Sequence, residues 1–148
     1  MEDDRTIIAV EWNGDVDVGS LARVVDAFRA VEGVDGAAVI DVLLTGDATV
    51  AELNERYRGV EGPTDVLAFE TAPPGVERPD VWALGQVVIS CDRAAEQASA
   101  SGIGLDDELA TLLVHGLLHL AGYTHDDGDS ASAMDGRSRL ILSKAFDV

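Results

Sequence analysis

The chain has 148 residues, 47% of them hydrophobic, which is room for one domain with a core of its own. No apolar run approaches the roughly 18 residues a membrane span needs, and the start Met1-Glu2-Asp3-Asp4-Arg5 is acidic where a secretory signal would be basic and then apolar. Cys91 is the only cysteine, so a disulfide framework is excluded and a soluble cytoplasmic protein is expected. Twenty-eight Asp and Glu against ten Lys and Arg give a net charge of −18. That balance argues against a nucleic-acid binder of the usual kind, whose affinity is built on basic patches and released counterions. Either the partner is not a polyanion, or the acidity is a general surface adaptation, for example to a salty cytoplasm. Nine of the ten basic residues are Arg and one, Lys144, is Lys, which fits a lysine-poor source.

In chain order, Thr6–Trp12 is apolar and β-branched at its start and reads as a strand. Val18–Val31 places Leu21, Val24, Val25, Phe28 and Val31 at helical spacing, and Gly33 and Gly36 break the pattern. Ala37–Leu44 is an apolar run of strand length. Asp47 then reads as the N-cap of a helix over Ala48–Tyr57. A loop from Gly59 to Pro63 leads to a strand over Thr64–Phe69. Thr71–Pro79, with three prolines, is irregular. Leu84–Ile89 is a further strand, and Ser90 caps a helix running to about Ala100. After Gly102 and Gly104 comes the best-defined helix, Asp106 to Ala121, with Asp106 and Asp107 at the positive end of its dipole and Gly122 as terminator. Ser130–Phe146 is a last helix, weakened by Gly136. This order predicts an α+β fold, a small mixed four-stranded sheet packed with helices.

Every histidine of the chain lies inside one eleven-residue window. His115 and His119 are four apart on the strongest helix, so both imidazoles project from one face. Gly122 lets the chain turn, and His125 can fold back toward the same point. A lone histidine on an apolar helix is ordinarily a satisfied core residue. Three in this pattern read instead as a metal site, and three neutral imidazoles with an open fourth position are what a catalytic zinc ion requires. A structural zinc would want a fourth ligand. Cys91 is the one candidate, though a free cysteine is more often a small buried apolar residue. The spacing His-x-x-x-His-x-x-Gly-x-x-His matches the metzincin metallopeptidases, but those carry a Glu general base directly after the first histidine and this chain has Gly116. The peptidase reading therefore loses.

The stretch His115-Gly-Leu-Leu-His-Leu-Ala-Gly-Tyr-Thr-His125 resembles the signature of the YbeY family of bacterial rRNA maturation factors. Two further blocks carry the resemblance: Leu53-Asn54-Glu55-Arg56-Tyr57-Arg58-Gly59 followed by Pro63-Thr64-Asp65-Val66-Leu67-Ala68-Phe69, and Leu84-Gly85-Gln86-Val87-Val88-Ile89-Ser90. It runs from about Ala37 to Ala145 and implies a zincin-like metal site on a helix. It also implies a zinc-dependent, single-strand-specific endoribonuclease acting in 16S rRNA 3′-end maturation and ribosome quality control, with the small ribosomal subunit and its proteins as partners. By matching position, His115, His119 and His125 would hold one Zn2+ ion and Arg58 would be the functional arginine beside it. A guanidinium there can hold a phosphate bidentately and neutralise charge developing on it; without the family match Arg58 reads as a solvated loop residue. The chain departs from the family pattern at Thr124 and Gln86, where Asp is common, at Ala68 in place of Ser, and at Ser138 in place of Glu. None of these removes a metal ligand. Loss of the two carboxylates bears on support around the ligands, where effects are often about 10–100-fold.

Asp65 reads either as a carboxylate supporting the site or as a turn-stabilising residue. Glu108, seven residues before His115, shares its helix face and reads more simply as a solvated charge, and Asn54 and Tyr57 read as structural. Two other functions stand beside RNA hydrolysis. One is a ribosome-associated binding factor whose metal holds the fold together, its acidic surface meeting basic ribosomal proteins. The other is a metal-dependent hydrolase of peptides or small molecules.

Overall fold

The computed structural model describes residues 5–34, 36, 38–59, 61–62, 64–69, 82–123 and 128–147. The elements run β1 (Arg5–Val10), α1 (Val18–Glu32), β2 (Ala38–Thr45), α2 (Asp47–Arg58), β3 (Val66–Phe69), β4 (Trp82–Ser90), α3 (Cys91–Ser101), α4 (Leu105–Leu120) and α5 (Gly128–Phe146). The sheet order is β1-β2-β4-β3, parallel between β1 and β2 and between β2 and β4, antiparallel between β3 and β4. The fold is thus the expected α+β arrangement on a mixed four-stranded sheet. The expected irregular stretch Thr71–Pro79 lies outside the described residues. Among the described residues no helix is long and apolar enough to cross a membrane.

Alternation along β2 sends Ile40, Val42 and Leu44 into the main core, beside Val87 and Ile89 of β4. Helices α1, α4 and α5 pack together over that face. On the opposite face α2 lays Val50 against Leu67 of β3 and Val88 of β4, a second and smaller core. At the centre stands α4, buried along Leu109, Ala110, Leu112, Leu113, Val114, Gly116, Leu117, Leu118 and Leu120. A helix apolar nearly all round must be enclosed. α4 comes so close to the sheet that a Cβ on Gly116 would stand 2.6 Å from Val87 Cγ1 and 3.2 Å from Val66 Cγ2.

At two boundaries that differ from the sequence reading, a long-range contact stands at the difference. The first strand stops at Val10 and not at Trp12, whose indole N–H leaves the ladder to donate to Asp92 at 3.0 Å. Asp47 is no N-cap: it is the first residue of α2, and Gly46 fills the cap position with no side-chain bond. The capping acceptor comes from α3, where the Asp92 carboxylate takes the Asp47 N–H at 2.8 Å. Asp47 in turn accepts from the Ser90 hydroxyl at 2.6 Å, while Ser90 caps α3 as expected by accepting from the Arg93 N–H at 3.1 Å. The two helix starts are therefore capped jointly, which answers the orphan amide problem at both ends. The last helix begins at Gly128, two residues earlier than expected, and continues through Gly136 unbroken because Met134, Ser138 and Ile141 bury one face.

Replacing Asp92 by Ala is expected to lower stability by about 1–2 kcal/mol at neutral pH, measured by urea unfolding. The Asp47 N–H, and after it the Trp12 indole, hold the Asp92 carboxyl below its ordinary range. Its contribution is therefore present above the pH at which an unfolded aspartate titrates, and is lost as pH falls through the folded value. The gap between the two proteins should start to narrow as pH falls below the ordinary aspartate value of about 4, and a gap that does not change on acidification would contradict the assignment. Separately, Gly116→Ala should destabilise by about 1–3 kcal/mol through overpacking against stiff valine side chains; an unchanged melting temperature would show that the helix can lift off the sheet freely.

Candidate functional site

One face of α4 turns toward a cleft. Glu108, Leu112, His115 and His119 follow one another at helical spacing, the first and third half-buried and His119 exposed. The cleft, of about 480 Å³, is lined by Leu112, His115 and His119 of α4, by Asp65, Val66 and Ala68 at and before β3, and by Arg58. Arg58 arrives from the other side of the sheet as the last residue of α2, which points its C-terminus at the edge strand β3. The loop behind it is held by the buried Asn54, whose amide donates to the Gly62 carbonyl at 2.9 Å. Tyr57 braces the same helix end edge-on against Phe69, with ring centres 5.7 Å apart. Asn54 and Tyr57 thus make their contacts around the helix end that carries Arg58.

The end of α4 fixes the imidazole of His119. Ala121 closes the helix, Gly122 adopts φ 103°, and the chain turns back with the Gly122 N–H on the His119 carbonyl and the Tyr123 N–H on the Leu118 carbonyl, both at 3.0 Å. This is a Schellman closure, and the positive φ is the reason glycine stands there. It presents the Tyr123 carbonyl oxygen 3.0 Å from His119 Nδ1. A carbonyl can only accept, so Nδ1 carries the proton and Nε2 keeps its lone pair, the tautomer a metal-binding histidine needs. His115, one turn earlier on the same face, lines the same cleft. The donor chemistry present suits a borderline-soft divalent cation such as zinc. His125, the third expected ligand, and Thr124 lie outside the described residues, and among the described residues no three potential ligands group together.

Cys91 is excluded from this centre. It lies in the core at the start of α3, and burial, with the Asp92 charge adding to it, pushes its thiol up to about 11. Gly116 turns the other way, toward Val87 and Val66, so a side chain following the first histidine would meet the sheet and not the cleft. This chain has no glutamate at that position to serve as a base. Gln86 pairs with Phe69 in the β3–β4 ladder and does not line the cleft, and Ser138 is buried on α5. Asp65 is in the cleft, with the Gln97 amide donating to it at 3.4 Å. Glu108, read above as a solvated charge, is half-buried: burial, and after it the neighbouring Asp65 charge, raise its carboxyl above the ordinary range. The sequence reading missed Leu112 and Val66 as cleft walls and the Tyr123 carbonyl as the group orienting His119. The last had one trace in the sequence, a residue four beyond a histidine and just past a helix-ending glycine.

The sequence model of the family described as Endoribonuclease YbeY matches residues 15–145. Endoribonuclease YbeY of Moorella thermoacetica is 43% identical over 133 residues, 85% of this chain and 85% of that protein. The protein of the same name from Roseiflexus castenholzii is 41% identical over 135 residues, 86% of this chain and 82% of that one. The solution structure of TM1509 from Thermotoga maritima shares the fold, with a TM-score of 0.65 at 24% identity, over 96% of this chain and 89% of that chain. With the family profile spanning nearly its whole length and relatives above 40% identity, this chain belongs to the YbeY family.

Proposed function

We propose that this protein is a cytoplasmic, zinc-dependent endoribonuclease specific for single strands, acting in 16S rRNA 3′-end maturation and ribosome quality control. The observation that carries the reading is the convergence of His115, His119 and Arg58 on one cleft, two from the central helix and one from across the edge of the sheet. His115 and His119, with His125, would hold one zinc ion. When bound, zinc supplies Lewis acidity and a water nucleophile active at neutral pH. Arg58 binds the scissile phosphate through two parallel N–H donors and neutralises the charge that grows on it. Leu112, Val66 and Ala68 give the cleft apolar stretches of wall beside these polar groups.

A binding factor held together by a structural metal is the weaker reading. The core closes through α4 without help from the histidines, of which His115 is half-buried and His119 exposed. A peptide hydrolase would need a base that Gly116 does not provide.

Cleavage of a single-stranded RNA by the zinc-loaded protein should vanish in His119→Ala and on chelation, while the chelated protein keeps its circular dichroism. Arg58→Ala should slow cleavage by about 100- to 1,000-fold. Equal cleavage by the parent and His119→Ala would end the metal-nuclease reading, and unfolding on chelation would favour the structural metal. Salt gives an independent check. Among the described residues Arg58 is the cation of the cleft, with Asp65 beside it, so the logarithm of RNA affinity should fall with log salt at a slope near −0.7, about one phosphate contact. A slope of several units, measured by fluorescence anisotropy, would mean that RNA is held by a basic surface elsewhere.

A further inference from the structure

Glu32 is the last residue of α1, where the helix exposes carbonyl groups and the negative end of its dipole. An acidic residue is electrostatically misplaced there, and this one is also withdrawn from solvent, its side chain only 10% exposed. Two groups from far along the chain hold it. Arg137 of α5 donates from Nε to one carboxylate oxygen at 2.8 Å and from a terminal nitrogen to the Val31 carbonyl at 3.1 Å, so one guanidinium serves both the charge and the helix end. The Tyr123 hydroxyl donates to the other carboxylate oxygen at 3.1 Å.

Tyr123 is the residue whose carbonyl orients His119. The Schellman closure uses the N–H groups of Gly122 and Tyr123 and so fixes the Tyr123 nitrogen, but rotation about its N–Cα bond would still swing the carbonyl away. Holding the ring stops that rotation, because Cβ and the carbonyl carbon turn together about the same bond. We propose that Glu32, clamped by Arg137, is a positioning residue for His119: it anchors the Tyr123 ring, and the anchored carbonyl sets the tautomer and orientation of the imidazole. The assignment rests on His119 being a metal ligand, and it places part of the centre's support at the far end of α1. It also explains why an unfavourable charge is kept at that helix end.

The test uses the full chain and the variants Tyr123→Phe, which removes one hydroxyl, and Glu32→Ala. Asp92→Ala serves as a control that lowers stability elsewhere. Two-bond nitrogen–proton NMR of the metal-free proteins reads the His119 tautomer, and competition with a chromophoric chelator reads zinc affinity. The expected result is a single Nδ1–H form in the parent and in Asp92→Ala, giving way to a mixture in Tyr123→Phe and Glu32→Ala. Zinc binding should weaken about tenfold or more in those two variants. Unchanged tautomer signals in them, or equal changes in Asp92→Ala, would overturn the proposal. If the parent binds no zinc, the metal reading of His119 fails, and the tautomer signals alone then decide whether Glu32 positions the ring.

Discussion

The seating of α4 on the sheet is the constraint from which the rest of the molecule follows. Gly116 brings the helix backbone against Val87 and Val66 with no room for a further carbon, and leucines and valines fill nearly every other direction. The energy of that burial is large, on the order of 1.5–3 kcal/mol for each fully enclosed side chain, and polar groups are admitted only where they do not spoil it. Past the first turn they gather on one side of the helix, and that side carries His115 and His119. The imidazoles are thus carried by a deeply enclosed helix.

Polar order at the periphery is economical and long-ranged. The Ser90, Asp47, Asp92 and Trp12 cluster joins the starts of two helices and the exit of β1. At the opposite end, Glu32, Arg137 and Tyr123 join α1, α5 and the turn after α4. In both places one carboxylate bridges two donors from different elements, so each charge is satisfied by groups that only the folded chain brings together. In a chain with net charge −18, such arrangements limit the self-repulsion that excess acidity would otherwise impose.

Much of this was legible in the sequence. Period-2 and period-3.6 patterns located the nine elements in order, because in this chain burial and local propensity agree. The histidine pair was legible for a related reason: two imidazoles one turn apart stand out on a helix that is otherwise apolar. Other features had no local signature. Asp47 looks like a cap in the sequence and is not one, because the acceptor is supplied by Asp92, 45 residues away. Glu108 looks solvated until the approach of Asp65 and the packing of α4 are known. The group that orients His119 is a backbone carbonyl, and every residue has one, so residue type cannot announce it. The family resemblance supplied Arg58, which composition and spacing alone would have left as a solvated loop residue.

The two cores also divide the labour of the cleft. The histidines stand on the large core, while Arg58 stands on the small one formed by Val50, Leu67 and Val88 across the sheet. Edge strand β3 is the partition, with Val66 and Ala68 facing one side and Leu67 the other. The two cores share strands β3 and β4, so Leu67 and Val88 under the arginine are chain neighbours of Val66 and Val87 under the histidine helix. A change in either strand is therefore felt on both sides of the cleft at once.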